Sequence, residues 1–235
     1  RANLRFNPTQ NINLRLSYSS GFRAPQAFDE DMHIENVGGT VAMIERAKNL
    51  KEEKSQSFSA SADMYHRFGV FQTNFLIEGF YTRLTDVFVL GEPYDRGDGI
   101  LVKTRSNGPG AKVMGLTLEG KVAYLSILQI QAGLTLQRSR YDEPHKWHDD
   151  APAEKKIFRT PDTYGYFTAT YTPIKPLSIA LSGTYTGRML VQRMDITAEN
   201  AELGAMPERK AEAIRTPRFF DLGVKLAYDF KLYKT

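Results

Sequence analysis

Four groups of residues carry side chains that could bind or react. Asp29, Glu30, Asp31, His33 and Glu35 fall close together in the first third of the chain. Oxygen-rich loops hold hard cations, but this spacing matches no EF-hand, so the group reads as a solvated loop face. His145 and His148 flank Trp147 and precede Asp149 and Asp150. Two imidazoles and a carboxylate could hold a transition metal. No third histidine is near, and a polar loop offering Trp147 and His145 as a ligand platform fits equally. Ser106-Asn107-Gly108-Pro109-Gly110-Ala111-Lys112 has a phosphate-loop flavour, yet it lacks the Gly-Lys-Ser/Thr ending and precedes a strand, so it reads as a loop-to-strand transition. Arg23 and Pro25 close an amphipathic run. Pro25 ends strand pairing there, and Arg23 can either anchor the loop on a rim carboxylate or touch a ligand.

None of these groups pairs a nucleophile with a base. Cysteine is absent, which removes disulfides, thiolate metal sites and cysteine nucleophiles. The chain is therefore read as non-enzymatic, with no catalytic residue, no resident metal and no cofactor. A net charge of +4 without a block of five or more Lys/Arg gives no support to a nucleic-acid partner.

The elements that must position these residues are strands. Ile12, Leu14, Leu16, Tyr18 and Phe22 alternate with Asn13, Arg15, Ser17, Ser19 and Gly21. Alternate side chains of a strand point to opposite faces, so this run has one apolar and one wet face. Similar runs recur at 2–8, 54–68, 71–89, 112–124, 128–141, 162–172, 177–190 and 218–230. The connections alternate: short at 9–11, 69–70, 125–127 and 173–176, long at 23–53, 91–111, 142–161 and 191–217. The middle of the first long connection, Val41 to Leu50, is expected to carry a helical turn. No run of about 18 apolar residues exists, which excludes a transmembrane helix. It leaves open a membrane barrel, in which half of each strand faces a wet lumen.

Short turns at one end and long loops at the other describe a transmembrane β-barrel. Apart from the first, the strands are about 11–19 residues long, against about 5–6 for ordinary sheets. Aromatics (Tyr65, Phe68, Phe71, Tyr124, Tyr171, Tyr228 and Phe230) gather near the short turns, as interfacial girdles do. The expected fold is all-β: an antiparallel up-and-down meander of about nine strands, part of a barrel. The other architecture is a soluble up-and-down β protein. The barrel requires Tyr171 and Tyr228 at the short-turn end, Leu134 and Leu226 facing lipid, and Gln131 and Lys225 facing the lumen. Nine is odd where single-chain bacterial barrels are even, so residues 1–235 are expected to be part of a barrel whose plug and last strands lie outside this chain.

The run Tyr18-Ser19-Ser20-Gly21-Phe22-Arg23-Ala24-Pro25 resembles the Gly-Phe/Tyr-Arg-Ala-Pro segment of TonB-dependent outer-membrane receptors. In that family a Leu-Lys-Pro-Glu-Lys-Ser motif opens the next strand; here Leu50-Lys51-Glu52-Glu53-Lys54-Ser55 carries Glu52 in place of proline. Arg159 to Phe167 and Phe220 to Leu226 are similar to late strands of the group. The resemblance implies a barrel of about 22 strands filled by an N-terminal plug. It implies ligand binding by outer loops and plug, and import driven by TonB pulling the plug. The implied partners are a TonB complex acting through the plug, a nutrient ligand, and outer-membrane lipid and lipopolysaccharide. The implied place is the outer membrane of a Gram-negative bacterium. Loop candidates for ligand contact are Arg23, Asp29, Asp31, His33, His145 and Trp147. A passive pore, a surface-binding barrel and an outer-membrane enzyme are the competing functions. The long loops hold about 20 of the 27 acidic residues but about half of the 31 basic ones. That balance disfavours a highly anionic ferric siderophore and leaves neutral or mixed-charge ligands such as a corrinoid, haem, peptide or glycan.

Overall fold

The computed structural model describes residues 1–25, 42–97, 101–147, 151–196 and 209–230. Within them the secondary structure is β throughout, and no helix is long and apolar enough to cross a membrane. Nine strands form one antiparallel meander: β1 (Ala2–Thr9), β2 (Ile12–Arg23), β4 (Glu53–Phe68), β5 (Phe71–Thr85), β8 (Ala111–Tyr124), β9 (Leu128–His145), β11 (Thr163–Ile174), β12 (Leu177–Thr186) and β15 (Phe219–Tyr228). A tenth, β10 (Glu154–Lys156), pairs beside the outer end of β9. β3 (Ala42–Arg46), β7 (Leu101–Asn107) and β6 (Phe88–Asp95) make a three-stranded sheet in that order, and β13 (Leu190–Ile196) pairs with β14 (Arg209–Arg215).

The register carries the alternation of each strand across the whole sheet. One transverse row reads Phe6, Leu14, Ala62, Ile77, Leu118 and Leu134 in direct pairing from β1 to β9. It continues through Gly165, Tyr185 and Phe220 to β15. The adjacent row on the other face reads Glu78, Thr117 and Thr135, and the hydroxyls of Thr117 and Thr135 lie 3.1 Å apart. A one-residue slip in any strand would turn its apolar set onto the wet face, so the two rows fix one another.

Among the described residues nothing packs over the apolar face. Leu134 is 40% and Leu226 69% exposed, so the described residues build no core around them. Gln131 lies on the opposite face, where its amide donates to the Tyr166 hydroxyl at 2.8 Å, and the alternation of β15 puts Lys225 opposite Leu226. Phe68, Phe71, Tyr124, Leu128 and Tyr171 are in consecutive register beside the short turns, and Tyr228 pairs with Leu177 at the same end. Tyr65 departs from the expected girdle. It stands on the wet face, where its hydroxyl donates to Asp63 at 2.8 Å. A second aromatic row, Tyr18, Phe58 and Tyr81, spans β2, β4 and β5 toward the long-loop end, with Tyr18 and Phe58 ring centroids 4.8 Å apart.

The long connections hold more structure than their composition suggests. Ala42–Arg46, expected within a helical turn, is instead a strand parallel to β7, because the open edge of β7 takes its backbone from Ala42↔Leu101 to Arg46↔Arg105. The expected strand over 71–89 breaks at Asp86, whose φ of 54° ends β5 and starts the β6–β7 hairpin inside what reads as a loop. Aspartate tolerates that left-handed conformation better than most residues. The strand expected over 128–141 runs on to His145, and the one expected over 177–190 stops at Thr186.

Candidate functional site

The Gly21–Pro25 motif ends β2 at the long-loop rim. Gly21, Phe22 and Arg23 pair with Ser55, Lys54 and Glu53 at the start of β4. A side chain at Gly21 would come within 3.1 Å of the Ser55 hydroxyl, so its small size lets the two strands meet closely. Phe22 projects on the apolar face, and Ala24 and Pro25 lie just beyond the strand. Arg23 projects on the wet face, its guanidinium 5.7 Å from the Phe88 ring centroid. The backbone N–H of Phe88 donates to the Glu53 carboxylate at 3.0 Å. The two residues that close this strand pair, Arg23 and Glu53, thus both hold the first residue of β6.

Asn107 fixes the other side of the same corner. Its amide accepts from the Lys51 N–H at 2.8 Å and donates to the carbonyls of Lys51 (3.0 Å) and Asp86 (2.8 Å). This side chain ties the end of β7 to the segment before β4 and to the break after β5. It belongs to the phosphate-loop-like stretch, and its work is structural. Sequence spacing could not flag it, because its partners lie 56 and 21 residues away.

β9 rises past the apolar belt and carries the second group. The rings of Tyr141 and His145 have centroids 5.5 Å apart, and Trp147 meets Phe158 edge-on at 5.9 Å. Burial holds the His145 imidazole below its ordinary pKa, which favours the neutral form. Burial, with the nearby Glu53 charge, raises the Tyr141 phenol. On the neighbouring outward positions Asp142 lies 2.6 Å from the Lys112 ammonium and 4.0 Å from the Arg83 guanidinium. The Lys112 hydrogen bond and the two cations hold the Asp142 carboxyl below its usual range. At the loop before β4, Glu52 is held low by its own backbone hydrogen bond and by Lys54, 3.1 Å away.

The rim thus carries Arg23 at the end of β2 and the His145–Trp147 segment at the end of β9, with β4, β5 and β8 between them. Asp29, Glu30, Asp31, His33 and Glu35, and His148, Asp149 and Asp150, lie outside the described residues. Among the described residues no three His, Asp or Glu side chains converge to hold a metal ion. A concavity of about 1160 Å³ lies lower, at the level of Tyr18, Phe58, Gly79 and Leu116, and neither Arg23, His145 nor Trp147 lines it. The arrangement offers polar and aromatic surface at the rim, over a wall that is apolar on one face and hydroxyl-rich on the other.

The family model described as TonB dependent receptor-like, beta-barrel, matches residues 1–235. Comparison with curated protein sequences finds no match. Solved structures share the fold. The FrpB iron transporter from Neisseria meningitidis (F5-1 variant) is 16% identical with a TM-score of 0.62, over 97% of this chain and 32% of that one. The siderophore receptor PirA from Acinetobacter baumannii is 14% identical with a TM-score of 0.63, over 97% and 34%. The pyoverdine outer membrane receptor FpvA from Pseudomonas aeruginosa, bound to pyoverdine, is 13% identical with a TM-score of 0.62, over 96% and 28%. The chain spans about a third of the length of these structures. At such identities the likeness is one of fold, and it agrees with a meander whose apolar face is carried in register through nine strands. With the family match over its whole length, the chain belongs to the β-barrel family of TonB-dependent receptors.

Proposed function

We propose that this chain forms part of the wall and outer rim of an active-uptake receptor in the outer membrane of a Gram-negative bacterium. In this reading a nutrient binds the outer loops and a plug. A TonB complex then draws on the plug to admit the nutrient, and the barrel itself performs no catalysis. The observation that carries the reading is the unbroken apolar belt of the nine-strand meander, backed by a polar inner face, in a member of this family. Lipid on one face and water on the other is the environment that such alternation satisfies.

The ligand class supported best is a scarce metal chelate. Structures of the same fold are named as an iron transporter, a siderophore receptor and a pyoverdine receptor. The acid-rich loops favour a chelate of low net negative charge, such as haem, a corrinoid or a mixed-charge siderophore, over a strongly anionic one. Glycan or peptide ligands fit the same charge argument.

The test uses the whole receptor that contains this segment, expressed in cells lacking other receptors. Uptake of labelled iron from several ferric siderophores and haem, and of a labelled corrinoid, is measured with and without functional TonB. Uptake of at least one ligand that disappears without TonB is expected. Uptake of all of them at a TonB-independent rate would make the barrel a passive pore and overturn the reading.

A further inference from the structure

Polar side chains of the wet face are commonly joined to a neighbour. The Ser57 and Thr82 hydroxyls lie 2.9 Å apart, Gln131 donates to Tyr166, and Tyr65 and Asn74 both donate to Asp63. One patch on β2, β4 and β5 is different. Arg15 pairs with Ser61, and Ser61 with Glu78, so a cation and a carboxylate stand in one row with a serine between them. The next row sets Ser17 beside Ser59, and Ser19 follows on β2. Among the described residues none of these four serine hydroxyls has a hydrogen-bond partner, and neither Arg15 nor Glu78 has an ion pair.

These residues line a trough of about 370 Å³, which Arg1 also borders. That volume lies within the range of small-molecule sites. Two features shape it. Nε of Arg15 donates to the Asn13 side chain at 3.1 Å, and Asn13 is only 6% exposed. A buried amide thus orients the guanidinium and leaves its two outer nitrogens to a ligand. On the far side the Phe80 ring lies across Gly115 on the next strand, which leaves Ser59 open to the trough.

Neighbouring strands are about 4.8 Å apart, so Arg15 and Glu78 are rooted about 10 Å from one another. A guanidinium takes a carboxylate in a two-pronged grip, and a carboxylate takes an ammonium. Serine hydroxyls both donate and accept, as the amides of a peptide require. Three extended amino-acid residues span about 10 Å.

We infer that Arg15, Glu78, Ser17, Ser19, Ser59 and Ser61 form a binding site on the inner wall for a zwitterionic, peptide-like group of about three residues, its carboxylate on Arg15 and its ammonium on Glu78. Glu78 in the same row as Arg15 selects a zwitterion over a simple anion, and the distance between them selects a short peptide over a single amino acid. The inference rests on the reading that the wet face lines an uptake receptor, and it gives the part of the nutrient that meets this wall a chemical class.

The test uses the whole receptor, purified in neutral detergent, with triglycine as probe and binding read by calorimetry. Triglycine is expected to bind about tenfold more tightly than N-acetyl-triglycine, which lacks the ammonium, and than triglycine amide, which lacks the carboxylate. Glu78→Gln is expected to abolish the preference over the acetylated peptide alone, and Arg15→Gln the preference over the amide alone. A role confined to holding the strands together would not separate the two peptides in this way. Lys225→Gln, on the inner face of β15, is expected to keep both preferences. Should the charge variants fail to fold, the combined Ser59→Ala and Ser61→Ala variant carries the test, with an expected loss of about threefold. No binding of triglycine, equal binding of the three peptides, or unchanged binding in these variants would each overturn the site. Any of these results with TonB-dependent uptake intact would remove the trough alone. Triglycine discrimination together with TonB-independent uptake would uphold the trough and remove the active-uptake reading.

Discussion

Two glycines on the wet face exist to admit aromatic rings. A side-chain carbon at Gly115 would stand 2.5 Å from the Leu136 carbonyl and 2.6 Å from the Phe80 ring; one at Gly133 would stand 2.5 Å from the Tyr166 ring. The rings lie across the neighbouring strand where no side chain competes. Gly115→Ala is expected to cost about 1–3 kcal/mol of stability, as overpacking does, read by denaturant unfolding of the refolded receptor. Gly79→Ala on the apolar face meets nothing within 4 Å and is expected to change stability by less than about 0.5 kcal/mol. At the rim, Asp142 sets a pH dependence. A carboxyl whose folded-state pKa is depressed contributes stability that is present above its unfolded pKa and lost as pH falls through the folded one. Lys112 and Arg83 depress Asp142, so the outer end of β8 and β9 is expected to hold through the ordinary carboxylate range and loosen only below it. Lys112→Gln should move that loosening to higher pH, measurable as amide exchange of residues 139–145 across a pH series.

The strand is the scale at which the sequence speaks most plainly. Alternation is local, so β2, β4, β8, β9 and β15 can be placed from their own residues, and two of the short turns follow from Gly69 and Pro176, whereas Pro173, expected in the turn, lies within β11. Leu118 and Thr117 are adjacent in β8 but stand on opposite faces, one beside Ile77 and Leu134, the other beside Glu78 and Thr135. Leu118→Arg is expected to cost about 2–4 kcal/mol in a bilayer, because the charge enters the middle of the belt. Thr117→Arg faces water and Glu78, and little loss is expected. Unfolding of both variants in lipid vesicles checks the pair. Where local alternation gives out, sequence reasoning erred. Ala42–Arg46 has residues suited to a helical turn, yet pairing with β7, more than fifty residues away, makes it a strand. Tyr65 has an aromatic ring suited to the girdle, yet strand parity places it beside Asp63.

For the whole molecule the decisive quantity is which solvent each face meets. Nitroxide labels at Leu134 and Leu226 are expected to contact lipid, and labels at Gln131 and Lys225 water, in the receptor reconstituted into vesicles; the reverse pattern would invert the wall. The candidate site was legible in part. The Gly21–Pro25 motif marks a strand end at the rim from its composition, but its linkage to β6 through Phe88 and Glu53 depends on contacts of 35 residues or more. The sequence by itself determined the meander, its two faces and the ends at which turns are short or long, because period, turn chemistry and strand length are properties of contiguous residues. Only the tertiary structure decided which residues stand side by side. Register joins strands that are distant in the chain, and so it alone assembled the Asn107 clamp, the outer aromatic row and the serine trough.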